Sequence, residues 1–219
     1  MKLVCISDTH GLHRQVRLPR GDVLVHAGDV SQQGTLTQVV DFLTWFAAVG
    51  DFRHRVMIAG NHDFAFERSP ALINLPAGVT YLHDTGEILD GVCFWGSPYT
   101  PAFGNWAFGQ SDEDLRDHWG HIPDDVDVLI THGPPLDILD RVLPSGQAVG
   151  CPHLLRAVQR AQPRVHLFGH IHEAYGECQV GETRCVNAAL CDPQYRLVQA
   201  PRVVTLDGGR RPELFGHAP

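Results

Sequence analysis

The sequence has 219 residues, of which 43% are apolar and 19% charged, a composition ordinary for a globular protein with a substantial core. Its net charge of −8 argues against a protein that coats nucleic acid nonspecifically, because such coating needs a basic surface. A small phosphate ester stays open as a ligand, since bound metal inverts local charge.

The elements read in order as follows. Residues 2–7 and 22–27 are apolar runs of strand length, and Thr35 is placed to cap a helix running to about Ala48, with Leu36, Val39, Val40, Leu43, Phe46 and Ala47 at helical spacing. Residues 54–59 form a third strand, and a helix or irregular turn interrupted by Pro70 reaches about Leu75. Residues 79–83, 86–89 and 92–95 read as short strands, and the loss of strand–helix alternation there predicts the start of a second sheet of antiparallel character. An aromatic-rich loop, 97–110, precedes a helix over 111–119 capped by Ser111. A strand over 126–131, a long loop 134–150, a helix over 152–161 and a strand over 164–168 follow. Short strands over 175–180, 183–187 and 202–206 complete a motif-bearing core of about 1–190 in a single domain, with a loose tail after about 207.

Six cysteines at 5, 93, 151, 178, 185 and 191 contain no C-x-x-C pair, so reduced thiols and a cytoplasmic location are expected. The sequence opens directly on a strand-like run, and no stretch reaches membrane-spanning length, so no membrane contact is expected.

The strand ends share one pattern. Leu3–Ile6 runs into Asp8-Thr-His10, Val23–Val25 into Gly28-Asp29, and Val56–Ala59 into Gly60-Asn-His-Asp63. Val128–Ile130 runs into His132-Gly-Pro-Pro135, and Val165–Phe168 into Gly169-His-Ile-His172. Ligands of open α/β sheets bind beyond such carboxyl ends. Asp8, His10, Asp29, Asn61, His62, His132, His170 and His172 form a thiol-free set suited to two divalent cations about 3.5–4 Å apart, Mn²⁺ first, with Fe or Zn²⁺ also compatible. Asp8 with His10, and His170 with His172, stand two residues apart and share a face only if their segments are extended.

These five blocks in this order resemble the calcineurin-like metallophosphoesterases over residues 8–172. Gly96-Ser-Pro-Tyr-Thr-Pro101, Phe168-Gly-His-Ile-His-Glu173 and Val186-Asn-Ala188 further resemble a small subgroup shared by bacteria and animals. The resemblance implies an α/β fold of four layers, αββα, with two facing mixed sheets flanked by helices. It implies that Asp8, His10 and His172 bind one metal, Asn61, His132 and His170 the other, and that Asp29 bridges. A hydroxide held by the metals would attack phosphorus in line, and His62 would protonate the leaving oxygen or stabilise the phosphorane. Cyclic nucleotides or similar small phosphodiesters are the first expected substrates. A phosphomonoesterase or phosphoprotein phosphatase is the alternative, ahead of a nuclease or a non-catalytic scaffold.

Other residues carry weaker readings. His13 lies near the first block and is a candidate substrate contact, against the default of a solvated loop. Tyr99, Phe103, Trp106 and Phe108 form either a wall on which a base stacks or ordinary packing, and the oligomeric state, monomer or homodimer, depends on their exposure. His26 and His166 read as hydrogen-bonded core residues. Asp63 reads as an acid favoured in a first helical turn rather than a residue orienting the site loop, and Asn187 as either a site support or a turn residue. A small phosphoester, with nucleotides among the candidates, is the expected partner, and no long nucleic acid.

Overall fold

Alternation along the strands decides the architecture. In β1 (Lys2–Ile6), Leu3 and Cys5 face one way and Val4 and Ile6 the other, and all four are fully buried. A strand buried on both faces must lie between two layers. The computed structural model describes residues 1–207, and the loose tail expected after about 207 lies outside the described residues.

The strands that follow are β2 (Val23–Ala27), β3 (His54–Ile58), β4 (Val79–Tyr81), β5 (Thr85–Leu89), β6 (Val92–Ser97), β7 (Thr100–Pro101), β8 (Gly109–Gln110), β9 (Val128–Thr131), β10 (Arg141–Val142), β11 (Gln147–Ala148), β12 (Val165–Phe168), β13 (Gly176–Val180), β14 (Thr183–Asn187) and β15 (Arg202–Thr205). The α-helices are α1 (Leu36–Ala48), α2 (Phe64–Arg68), α3 (Asp112–His118) and α4 (Pro152–Ala161). One sheet has the order β15-β1-β2-β3-β4 and the other β13-β14-β12-β9-β6-β5. Each is mixed: the inner pairs are parallel, while β15, β13 and β5 join antiparallel.

Leu3, Cys5, Val25 and Ile58 of the first sheet pack against Phe94, Ile130, Leu167 and Val186 of the second. On the outer face of the first sheet, Val4, Leu24 and Met57 meet Val39, Phe42 and Phe46 of α1. On the outer face of the second, Trp95 and Leu129 meet Leu115, Trp119, Leu154 and Val158 of the α3–α4 region. The expected αββα order is therefore present. The helix caps also follow the sequence: Thr35 accepts from the Gln38 amide, and Ser111 from the Asp114 amide.

One expectation fails. The second sheet does not begin at residue 79. Instead β4 pairs parallel with β3, Arg55 opposite Val79, and closes the first sheet. The segment between β3 and β4 holds α2 and a short 3-10 turn, Pro70–Leu72, and is long enough for a parallel crossover. Antiparallel pairing starts with the β5–β6 hairpin, whose turn uses Asp90 and Gly91 at φ 49° and 78°.

His26 and His166 are fully buried core residues, as read from sequence. Their Nε2 atoms lie 3.0 Å from Thr9 Oγ1 and 2.8 Å from Thr131 Oγ1. Among the described residues no helix is long and apolar enough to cross a membrane.

Candidate active site

The carboxyl ends of β1, β2, β3, β9 and β12 carry the polar blocks to one edge of the sandwich. The two sheets are stitched together there: Ser7 N–H donates to Ala188 O at 2.9 Å, and Leu190 N–H returns to Ser7 O at 3.0 Å. The backbone turns sharply after each strand. Asp8, His10, Asp29 and His170 have φ of 53°, 42°, 57° and 67°, in the left-handed region that Asp and His tolerate better than bulkier residues. The extended geometry expected for the two paired blocks is thus replaced. His170 is left-handed and His172 opens a 3-10 turn, His172–Ala174. The side chains converge through tight turns rather than through strand alternation.

Two glycines make this convergence possible. A Cβ on Gly169 would fall on the Asp8 carboxylate and Ser7 Oγ. One on Gly60 would fall on Asp29 and stand 2.7 Å from His132 Cε1.

The carboxylates and imidazoles then sit within bonding reach of a shared centre. His172 Nε2 is 3.3 Å from Asp8 Oδ1, and His132 Nε2 is 3.4 Å from Asp29 Oδ2. His10 Nε2 lies 3.9 Å from Asp8 Oδ1, 3.8 Å from Asp29 Oδ2 and 3.2 Å from His172 Nε2. Asn61 Oδ1 is 2.8 Å from His132 Nε2. The His170 ring stands 5.0 Å from His132, and its amide donates to both Asp8 oxygens at 3.1 and 3.0 Å. His62 lies 4.7 Å from His10, centroid to centroid, and its amide donates to Asp29 Oδ1 at 2.8 Å.

Outer contacts fix the ring orientations. Nδ1 of His132 faces Ala27 O at 2.9 Å, Nδ1 of His172 faces Asp192 O at 2.9 Å, and Nδ1 of His62 faces Gln32 O at 2.8 Å. Each carbonyl demands a proton on Nδ1, so the Nε2 atoms of His132 and His172 are the ones that face inward, able to bind a cation once any proton there is released. Asn187 supports the same centre: its Nδ2 donates to Ile171 O at 2.9 Å, and its Oδ1 accepts from Ala189 N–H at 3.0 Å.

Asp63 acts differently from its sequence reading. It stands at the N-cap position of α2, but its side chain makes no capping bond there. Its buried carboxylate accepts from the Val30 and Ser31 amides at 3.1 and 3.0 Å, from the Ser31 hydroxyl at 2.7 Å and from the Gly60 amide at 2.9 Å. It ties the loop after β2 to the loop after β3 and so orients the site.

The charges are in strong tension. Burial pushes the His10 and His170 imidazoles down, to about 4 and about 3. Burial also opposes charge on His132 and His172, but the carboxylates of Asp29 and Asp8 respectively outweigh it and raise both to about 9. Burial raises Asp8 and Asp29, yet the facing imidazoles hold both well below the usual carboxylate range. Two buried carboxylates ringed by imidazole nitrogens call for positive charge at their centre. Oxygen and imidazole donors at these separations, with Nδ1 of His132 and His172 already tied down, fit divalent cations.

The centre opens into a cleft of ≈ 250 Å³ lined by Asp29, Asn61, His62, Phe103, Trp106, His170, His172, Glu173, Pro193 and Tyr195. Phe103 and Trp106 line the cleft. His13 and Tyr99 do not line it. His13 is turned into the α1 interface, against Phe42 and Trp45, with Nε2 3.2 Å from Asp41 Oδ2. Tyr99 packs on Phe108 and His118, and its hydroxyl lies 3.3 Å from His83 Nε2. Glu173, Pro193 and Tyr195 went unread in the sequence. Asp192-Pro193 is an ordinary turn signal that carries no hint of what the turn faces.

Known proteins resemble this chain. Residues 1–174 match the family described as Calcineurin-like phosphoesterase. Metallophosphoesterase domain-containing protein 1 of Homo sapiens is 38% identical over 231 aligned residues, spanning 94% of this chain and 71% of that protein. UPF0046 protein K07C11.7 of Caenorhabditis elegans is 38% identical over 221 residues, spanning 93% and 74%. One solved structure, 16% identical, has a TM-score of 0.60 and covers 85% of this chain and 89% of its own, a likeness of fold. The chain belongs to the calcineurin-like phosphoesterase family, whose members hydrolyse phosphoesters at a dinuclear divalent metal centre.

Proposed function

We propose that this chain hydrolyses small phosphodiesters, with cyclic nucleotides as the first candidates. The reading is carried by three overlapping groups, Asp8–His10–His172, His10–Asp29–His62 and Asp8–Asp29–His132, beside an open cleft that Asp29, His62 and His172 line. In it, Asp8, His10 and His172 hold one cation, Asn61, His132 and His170 hold the other, and Asp29 serves both. Mn²⁺ is the proposed occupant, in a cytoplasmic protein. When bound, such a pair supplies charge to the phosphoryl oxygens and acidity to the attacking water.

The chain's own residues do the rest. Asp8 and Asp29 set the negative frame that holds the cations, and the Ala27 and Asp192 carbonyls keep His132 and His172 in the ligating tautomer. His62, held through Nδ1 by Gln32 O and through its amide by Asp29, presents Nε2 to the cleft. With Nδ1–H kept on Gln32 O, the proton that passes to the leaving oxygen as the ester bond breaks is the second proton of the imidazolium, carried on Nε2, and the neutral ring remains.

Charge favours the diester. Among the described residues no Lys or Arg lines the cleft, and Glu173 adds an acid to its wall. The cations attract either ester, but the acidic wall repels a dianionic monoester more than a monoanionic diester and offers it no Lys or Arg. The test is hydrolysis of an aryl phosphodiester against the matching monoester with Mn²⁺ added and Asp29→Asn as control. A diester preference abolished by Asp29→Asn is expected. A monoester preference would keep the metal site and overturn the diester reading.

A further inference from the structure

The loop after β14 brings Tyr195 to the cleft from outside the residues 1–174 matched to the family. Its backbone is left-handed, φ 57°, which is uncommon for an aromatic residue and persists only where surroundings enforce it. Those surroundings are tightly braced. The Asp192 carboxylate accepts from the Gln194 and Arg196 amides at 2.9 and 3.0 Å and from Arg196 Nε at 2.7 Å. The Tyr195 amide donates to Asp192 O at 2.8 Å, the same carbonyl that His172 Nδ1 faces. Tyr195 is thus fixed to the turn that orients His172.

Its ring stands nearly perpendicular to His10 at 4.8 Å and to His172 at 5.6 Å, and lies 5.8 Å from His62 at 63°. Trp106 lies almost parallel to His62 at 4.2 Å. His62 is therefore flanked by an indole and a phenol, both lining the cleft. Trp106 also stacks towards Phe64, at 6.0 Å and 24°, so much of its face is already engaged. Tyr195 is 38% exposed, and among the described residues its hydroxyl has no hydrogen-bond partner. A leaving group that takes its proton from His62 therefore sits close to both rings.

We infer that Tyr195 is a specificity-determining residue that favours phosphoesters whose departing group carries a flat aromatic ring. The inference rests on the proposed role of His62 beside the leaving oxygen. A flat ring buries apolar area against the phenol in stacked or edge-on contact, which a puckered saturated ring of similar size reproduces poorly.

The test compares methyl phenylphosphonate with methyl cyclohexylphosphonate as competitive inhibitors of aryl diester hydrolysis. Both are monoanions of like size, one bearing a flat ring and one a puckered ring. In the wild type the phenyl compound binds more tightly. Tyr195→Ala and Tyr195→Leu should weaken it about three- to tenfold, the size of one aromatic contact, with the cyclohexyl compound changed less than about twofold. Tyr195→Phe should keep the wild-type ratio. An unchanged ratio in Tyr195→Ala, or equal weakening of both compounds, overturns the inference, as does loss of the ratio in Tyr195→Phe. Asp29→Asn is assayed alongside. If it stays active, the metal-site reading on which the inference rests fails. If it is inactive while Tyr195→Ala keeps the wild-type ratio, the Tyr195 inference alone fails.

Discussion

Acid should destabilise this protein through its buried core histidines before its paired surface carboxylates titrate, and His166 allows the effect to be isolated. Thr131 Oγ1 donates to Gly133 O at 2.7 Å, so it must accept from His166 Nε2–H. His166 Nδ1 is buried without a partner. A second proton would place a cation in the core with no acceptor, and burial accordingly pushes this imidazole from 6.5 down to about 3. Between these values the unfolded chain binds the proton and the folded chain does not, so stability falls as pH falls through that window. The loss from pH 7 to pH 5 works out at about 2 kcal/mol for this one group. His166→Gln keeps a side-chain N–H for Thr131 and removes the titration. Urea unfolding at pH 7 and pH 5 should show the wild type losing about 2 kcal/mol more than the variant. Equal losses in the two proteins would refute the reasoning.

Asn187→Ala leaves Ile171 O and Ala189 N–H buried without their partners, and urea unfolding should show a loss of about 2–4 kcal/mol. Gly169→Ala drives a methyl group into the Asp8 carboxylate, so metal per chain, measured by plasma mass spectrometry, should fall by half or more. Gly120→Ala, where an added Cβ meets nothing within 4 Å, should keep full metal content.

Much of this site was legible in the sequence because its ligands end strands. An apolar run that stops at Gly28-Asp29 or Gly60-Asn61 announces both the strand and the edge to which it delivers side chains. The αββα order was implied by the resemblance those blocks carry, and the burial of Leu3 and Cys5 on one face and Val4 and Ile6 on the other bears it out. What escaped depends on proximity across the chain. Asp63 looked like a first-turn acid because nothing local shows that Val30 and Ser31 fold back onto it. His13 lies near the first block in sequence but belongs to α1 in space. The left-handed turns at Asp8 and His170 have no residue signature, since Asp and His adopt extended and left-handed backbone alike. Tyr195 reaches the cleft only because its turn is braced against His172.

The most direct test is a titration of chelator-stripped protein with Mn²⁺, following metal binding and aryl diester hydrolysis together. The account predicts inactive stripped protein, activity that rises to a plateau at about two equivalents of metal per chain, and no recovery in Asp29→Asn. Full activity in the stripped protein, or recovery in Asp29→Asn equal to the wild type, would contradict it.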